Sequence, residues 1–386
     1  MPTGKMKGKE DRKMNDKLFG PLSVISMRGC EQFCDAVDKY LKRWRNTEES
    51  FIVSAECPRF GTGEGKGLLH ESLRGHDVYI ITDPFNHGVT YKMYGKEVPM
   101  SPDDHFADVK RIIGAIAGKA RRVSVIMPML YEGRQHKRTS RESLDCALML
   151  QELHHLGVSN IITFDAHDAR VQNAIPLGGF DNVQATYQMI KALVKNEKDL
   201  SLNKENIMIV SPDEGGMNRC MYYSSVLKLD LGMFYKRRNY SVIIDGRNPI
   251  EAHEYLGRSV KDKDVIIVDD MISSGDSVIE IGKKLKERGA KRIFVFATFG
   301  LFVAGLDVFD KAYEAGYIDR VYTTDLIYRM PELATRDWYI EVNMSKYISL
   351  IVDTLNKDQT ISDLLSPADR INTFLDRREA DGTITR

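Results

Sequence analysis

The chain has 386 residues, enough for two domains with cores of their own. Its 55 basic and 55 acidic residues cancel, so no net field draws it to nucleic acid or to an anionic membrane. No apolar run approaches the ~18 residues of a membrane span, and the five cysteines form neither a disulfide framework nor a CxxC motif, which fits a reducing cytoplasm.

In chain order, Met1 to Lys17 is polar and basic without the apolar core of a signal peptide, and reads as a flexible tail. Phe33, Val37, Tyr40, Leu41 and Trp44 keep a helical period over Cys30 to Arg45. Cys30 and Cys34, one turn apart on that helix, read as packing residues. Short apolar runs then alternate with helical segments: Phe51–Val53, Val78–Ile81, Val123–Met127, Ile161–Phe164, Ile207–Val210, Val265–Val268 and Ile293–Ala297. This alternation predicts βαβ units and an α/β fold of mostly parallel sheets flanked by helices. So many strands exceed one modest sheet. The expected division is an extension with a helix over 1–48, an α/β domain over 49–195, a second over 196–356, and a segment over 357–386 that packs back through Ile361, Leu364, Leu365, Ile371 and Leu375.

Ligands of open α/β sheets gather beyond the carboxyl ends of strands, so the loops there carry the chemistry. The richest is the run Asp264 to Ser277. A β-branched strand ends in Asp269-Asp270, followed by Ser273-Ser274-Gly275-Asp276-Ser277 and a helix marked by Val278, Ile281 and Leu285, with Gly289 at its C-terminal end. A helix N-terminus entered through small hydroxyl residues suits a phosphate, and the acid pair suits sugar hydroxyls or a hydrated divalent metal. An ordinary βα turn with Ser273 or Ser274 as N-cap is the plainer alternative.

The other loops are consistent with such a ligand. Ser211-Pro212-Asp213-Glu214-Gly215-Gly216 lets backbone approach a pyrophosphate, with Asp213 as a metal ligand and Arg219 beyond it, although an ordinary turn has the same spelling. Asp165-Ala166-His167-Asp168 puts an imidazole between carboxylates at a strand end, a candidate metal or phosphate site. Tyr131 to Arg141 is a strongly basic loop, either solvated or a lid over a polyphosphate. Strand alternation predicts that Lys236 and Arg238 point the same way and need an anion between them. Gly61-Thr62-Gly63-Glu64-Gly65-Lys66-Gly67 fails both the P-loop and the GxGxxG patterns, but its position still allows a ligand role.

Taken in order, these loops resemble the ribose-phosphate pyrophosphokinase (phosphoribosyl pyrophosphate synthetase) family over Phe51 to Leu375. Phe60-Gly61-Thr62-Gly63-Glu64 resembles its ATP loop, and Gly133-Arg134-Gln135 its Ala-Arg-Gln, which contacts ATP. Asp165-Ala166-His167 is similar to its Asp-Leu-His, Ser211-Pro212-Asp213 to its pyrophosphate-side loop, Lys236-x-Arg238 to its catalytic Lys-x-Arg, and Asp264 to Ser277 to its ribose-phosphate loop.

The resemblance implies two phosphoribosyltransferase-like domains, a homo-oligomer, ATP bound partly across a subunit interface, and transfer of the β,γ-pyrophosphate of ATP to the C1 hydroxyl of ribose 5-phosphate. It makes Lys236 and Arg238 catalytic and assigns Phe60, Thr62, Glu64, Arg134, Gln135 and His167 to ATP. His167, Asp213 and Asp165 fall to Mg²⁺. Asp269 and Asp270 fall to the ribose, and Ser273, Ser274, Gly275, Asp276 and Ser277 to its 5-phosphate. The chain also departs from the family. Ser273 stands for an Asp and Asp276 for a Gly, Thr62 for an Asp or Asn, Asn218 for a Lys and Phe299 for a His, and Asp83 to Asp104 is longer than the family's segment. These departures raise two alternatives: a larger acceptor such as ADP-ribose, or a non-catalytic regulatory paralogue. A phosphoribosyltransferase ranks lower, since it has no need of an ATP-like N-terminal half.

Overall fold

A computed structural model describes residues 18–238 and 250–386, with the backbone alone for 236–238 and 250–253. In chain order it places β1 (Leu22–Ser26), α1 (Glu31–Arg45), the short pair β2 (Ala55–Glu56) and β3 (Leu68–Leu69), and β4 (Asp77–Ile81). The hairpin β5 (Thr90–Met93) and β6 (Lys96–Pro99) precedes α2 (Pro102–Ile116), β7 (Arg122–Ile126), α3 (Asp145–His155), β8 (Asn160–Phe164), β9 (Gly179–Val183) and α4 (Thr186–Asn196). There follow β10 (Leu200–Ser201), β11 (Ile207–Ser211), α5 (Met217–Leu227), β12 (Asp230–Arg238), β13 (Ile250–Leu256), β14 (Asp264–Ile272) and α6 (Asp276–Glu287). The last elements are β15 (Ile293–Gly300), α7 (Asp307–Glu314), β16 (Arg320–Thr324), β17 (Tyr339–Val342), α8 (Ser345–Asn356), α9 (Ser362–Leu365), α10 (Ala368–Ala380) and β18 (Ile384–Thr385).

The first half forms a five-stranded sheet in the order β1-β4-β7-β8-β9, parallel throughout. The second forms a seven-stranded sheet in the order β13-β12-β11-β14-β15-β16-β17, parallel except for the β12–β13 edge. The apolar strands are buried on both faces, and alternation sorts their residues. Val78 and Ile80 face a layer with α2 and α3, whereas Tyr79 and Ile81 face a central core. Val265 and Ile267 likewise meet α6 and α7, while Ile266 and Val268 join the same central core. That core also takes in α1, α4, α8 and the C-terminal Ile361, Leu364, Ile371 and Leu375. The two sheets therefore share one packed middle layer of helices.

The beginning of the N-terminal sheet differs from the sequence reading. Its first strand is Leu22–Ser26, inside the stretch read as an extension, and it pairs with β4 from Leu22↔Asp77 to Ser26↔Ile81. Phe51–Val53 is not a strand. It is stitched to Val24 by two backbone bonds, Val24 N–H to Phe51 O (2.7 Å) and Val53 N–H to Val24 O (2.8 Å). The polar Ser23 and Ser26 hide β1 from a search for apolar runs, yet Ser23 is buried and bonded to His76 Nδ1 at 2.8 Å.

Candidate active site

The carboxyl ends of β8, β11, β14 and β15 converge where the two halves meet. Asp269 and Asp270 lie within β14, which runs on through Met271↔Phe299 and Ile272↔Gly300 beside β15. The buried Asp270 reaches into the N-terminal half, where its Oδ2 sits 2.7 Å from His167 Nδ1. The bond to Asp270 holds His167 above the ordinary histidine value, against burial, which opposes it. Burial also acts against the charged form of Asp270, but His167 and Arg219 outweigh it and hold that carboxyl down to about 2. Asp269 goes the other way, pushed well above the carboxylate range by burial and by the charge of Asp270.

Arg219, in the first turn of α5, completes the junction. Its Nε donates to both oxygens of Asp165 at 2.8 Å, and its Nη1 stands 3.9 Å from Asp269 Oδ1. Burial alone would lower the guanidinium pKa; Asp165, Asp270 and Asp269 reverse that and raise it. Asp165 Oδ2 also accepts the Thr298 hydroxyl at 2.7 Å. One carboxylate thus ties β8 to α5 and to β15. Asp165 adopts φ +43°, a left-handed conformation that costs a non-glycine residue about 1–3 kcal/mol, and that places it where all three hydrogen bonds are made.

Beside this junction opens a cleft with apolar walls at Phe85, Met129, Met271 and Phe299 and with Arg134 and His167 at its polar side. Glu132 and Asp165 line it as well, so the polar side carries both signs of charge beside an apolar wall that suits a flat ring. His136, from the basic loop, stands edge-on to His167 with ring centroids 5.3 Å apart and lies 3.6 Å from Asp168. Burial and His167 lower its pKa. Gln135, next along that loop, donates to Ser143 O at 3.1 Å and does not line the cleft.

At the other loops, Ser211 Oγ donates to Asp213 O at 2.8 Å, and Gly216 N–H donates to Asp213 Oδ1 at 3.2 Å. The N-cap of α6 is Gly275, not Ser273 or Ser274, and no side chain caps that helix. Its first N–H groups are left for another acceptor. Gly275 has φ +95°, and a methyl on it would run into Phe309. Asp276 Oδ2 accepts the Ser274 hydroxyl at 2.9 Å. Ser277 is the second residue of the helix, exposed.

Phe60, Thr62 and Glu64 are not brought to the cleft. They sit on the exposed loop between β2 and β3, with Phe60 55% exposed. The side chains of Lys236 and Arg238 lie outside the described residues. Along the backbone, the β12–β13 pairing shifts register between Arg237 and Arg238, so simple alternation does not carry through from one to the other. Thr298 was not singled out from the sequence. The signal available was its place at the carboxyl end of the run Ile293–Ala297.

No group of three His, Cys, Asp or Glu side chains among the described residues would enclose a metal. Mg²⁺ needs none, because it keeps several waters and takes one or two protein contacts together with substrate phosphates. The donor set fits that mode. His167 has Nδ1 engaged and a second ring nitrogen remaining, and the crowded Asp269–Asp270 charges favour a nearby cation. Asp165 fits it less well, since both oxygens already accept from Arg219 and one from Thr298 as well.

Three family descriptions match in succession: the N-terminal domain of ribose phosphate pyrophosphokinase over residues 22–157, the phosphoribosyl transferase domain over 179–301, and the phosphoribosyl synthetase-associated domain over 249–365. A ribose-phosphate pyrophosphokinase of Ureaplasma parvum is 32% identical over 55% of this chain and 61% of its own length. One from Vibrio cholerae is 26% identical over 81% of this chain and 90% of its own. The crystal structure of phosphoribosylpyrophosphate synthetase from Mycobacterium smegmatis superposes with a TM-score of 0.69 at 20% identity, covering 87% of this chain and 99% of that one, and so shares the fold. With all three descriptions laid in order along it, the chain belongs to the ribose-phosphate pyrophosphokinase family.

Proposed function

We propose that this protein is a ribose-phosphate diphosphokinase, which moves the β,γ-pyrophosphate of ATP to the C1 hydroxyl of ribose 5-phosphate and releases AMP. The observation that carries the reading is the paired link across the halves, His167 to Asp270 and Arg219 to Asp165. It joins the strand ends that the family uses for nucleotide and for sugar phosphate into one junction. The C1 oxygen forms a bond to the β-phosphorus as the bond from that phosphorus to the α,β-bridging oxygen breaks. Catalysis of such a step is chiefly positioning and charge stabilisation.

In this reading Arg134 meets the ATP phosphates at the cleft, with Gln135 behind it, and Lys236 and Arg238 neutralise the group in transfer. Asp269 orients the ribose. Asp270 serves the ribose while it fixes the ring of His167. The N–H groups opening α6 hold the 5-phosphate with Ser273, Ser274 and Ser277. His167 and Asp213 hold Mg²⁺, which supplies charge neutralisation on the phosphate oxygens when bound. Asp165 is a strut for Arg219. A second copy of the chain supplies Phe60, Thr62 and Glu64, so the active form is a homo-oligomer.

No helix among the described residues is long and apolar enough to cross a membrane, and all five cysteines are free, which supports a cytoplasmic setting. The larger acceptor and the non-catalytic role are not favoured. Of the departures that prompted the first (Ser273, Asp276 and the long 83–104 segment), Asp276 is engaged by Ser274, and the cleft and junction are both built. The test is incubation with ATP, Mg²⁺ and, separately, ribose 5-phosphate or ADP-ribose, with AMP followed by chromatography. AMP formed with ribose 5-phosphate supports the assignment; AMP formed only with ADP-ribose overturns the choice of acceptor.

A further inference from the structure

The extra length between Asp83 and Asp104 folds as the hairpin β5–β6, whose base is closed by Met100 N–H donating to Val89 O at 2.8 Å. Its turn is Tyr94-Gly95, with φ +47° and +77°. The first of these positions is usually Asn, Asp or Gly, and a tyrosine there costs about 1–2 kcal/mol. In a two-residue turn that residue's N–H is not used by the hairpin itself. Here it donates outward, to Gly61 O at 2.8 Å.

The same loop is held at two further points, and the hairpin itself at one. A Cβ on Gly63 would stand 2.9 Å from Met93 Sδ, so strand β5 packs directly on the loop backbone. The Arg59 guanidinium, one residue before Phe60, lies over the Tyr91 ring at 5.1 Å and grips Asp108 through bonds of 2.6 and 2.9 Å. Arg28 Nη2 pins the root of the hairpin through Thr90 O at 2.8 Å. Inside the loop, Phe60 N–H donates to Glu64 O (2.7 Å) and Gly63 N–H to Phe60 O (2.9 Å). The backbone of Phe60–Glu64 is thus fixed from outside, while the Phe60 ring stays open to solvent. An exposed aromatic on a braced loop is a preorganised platform for a flat base, because its ordering entropy is lost before the ligand arrives.

We propose that the Thr90–Pro99 hairpin is a positioning element for ATP: it sets the shape of the Phe60–Glu64 loop through Tyr94 N–H, Met93 and the Tyr91–Arg59 stack. The inference rests on the proposed pyrophosphokinase reading, which puts that loop at the nucleotide. Among the described residues no hydrogen bond or ion pair joins the hairpin to the acid pair or to the loop that opens α6, so its effect is expected on the nucleotide side.

The experiment replaces Thr90–Pro99 by Gly-Gly in the full chain, since Val89 and Met100 are already bonded neighbours. ATP affinity is measured by equilibrium dialysis, KM for each substrate and kcat by AMP formation, and folding by thermal midpoint. The expected result is a rise of about tenfold in both Kd and KM for ATP, with KM for ribose 5-phosphate and kcat within about twofold of wild type. Unchanged ATP affinity, or equal losses in every parameter, overturns the proposal. If the excised chain does not fold, Tyr91→Ala carries the test, with a rise of about three- to fivefold for ATP that Tyr91→Phe restores. A wild type that binds ATP but forms no AMP refutes the activity, and the dialysis data still decide the role of the hairpin.

Discussion

Gly275→Ala is the most local probe of the sugar-phosphate loop. Gly275 sits at φ +95° as the N-cap of α6, and a methyl there meets Cε2 and Cζ of Phe309. The left-handed conformation alone costs an L residue about 1–2 kcal/mol. Phe309 cannot step aside freely. It is fully buried, stacked on Trp338 with centroids 5.3 Å apart and edge-on to Phe302 at 5.1 Å. Forcing extra volume into such a core costs about 1–3 kcal/mol more. The total is roughly 2–5 kcal/mol. Urea unfolding should show it, and KM for ribose 5-phosphate should rise because the α6 N–H groups are displaced. A double-mutant cycle separates the parts. With Phe309→Leu in place, the additional cost of Gly275→Ala should fall toward the backbone term alone. A Gly275→Ala protein within about 0.5 kcal/mol of wild type would refute the reasoning.

Arg219→Leu leaves Asp165, Asp269 and Asp270 crowded without their cation and should cost about 3–5 kcal/mol at pH 7, as for other broken buried pairs; denaturation with no such loss counts against the junction. Asp270→Asn should lower the His167 pKa, read by NMR titration. Asp270 is held down to about 2, so its contribution is present above its ordinary value of 3.8 and fades as pH falls through the folded value. His167 is raised above 6.5, so its share is full below 6.5 and is lost as pH rises through the folded value. The stability gap between wild type and the Asn variant should therefore be widest between about pH 4 and 6.5, and a gap independent of pH contradicts the pairing. Lys236→Ala should cut turnover by several orders of magnitude without moving the thermal midpoint; retained activity removes Lys236 from its role.

The parts of this molecule written in local pattern were legible. The β-branched runs became β4, β7, β8, β11, β14 and β15, and Val278, Ile281 and Leu285 became the buried face of α6 with Gly289 just beyond its C-cap. Local pattern could not show β1, because Ser23 is buried by pairing and by its bond to His76 rather than by apolar character. The serine N-cap of the plainer reading is absent from α6: Gly275 takes that position at φ +95°, and a Cβ on it would meet Phe309 of α7. Long-range partnerships were also invisible. The acid pair at 269 and 270 looked like one sugar-binding unit, yet Asp270 spends an oxygen on His167, 103 residues away. Asp165 looked like a metal ligand and binds Arg219 and Thr298, 54 and 133 residues away.

The central claim is pyrophosphoryl transfer, and the products of a single incubation test it. Ribose 5-phosphate and ATP with Mg²⁺ should give, by mass spectrometry, a sugar phosphate that has gained two phosphoryl units, in equal amount to AMP. A sugar that gains one phosphoryl unit with ADP as co-product, or no AMP at all, would contradict it.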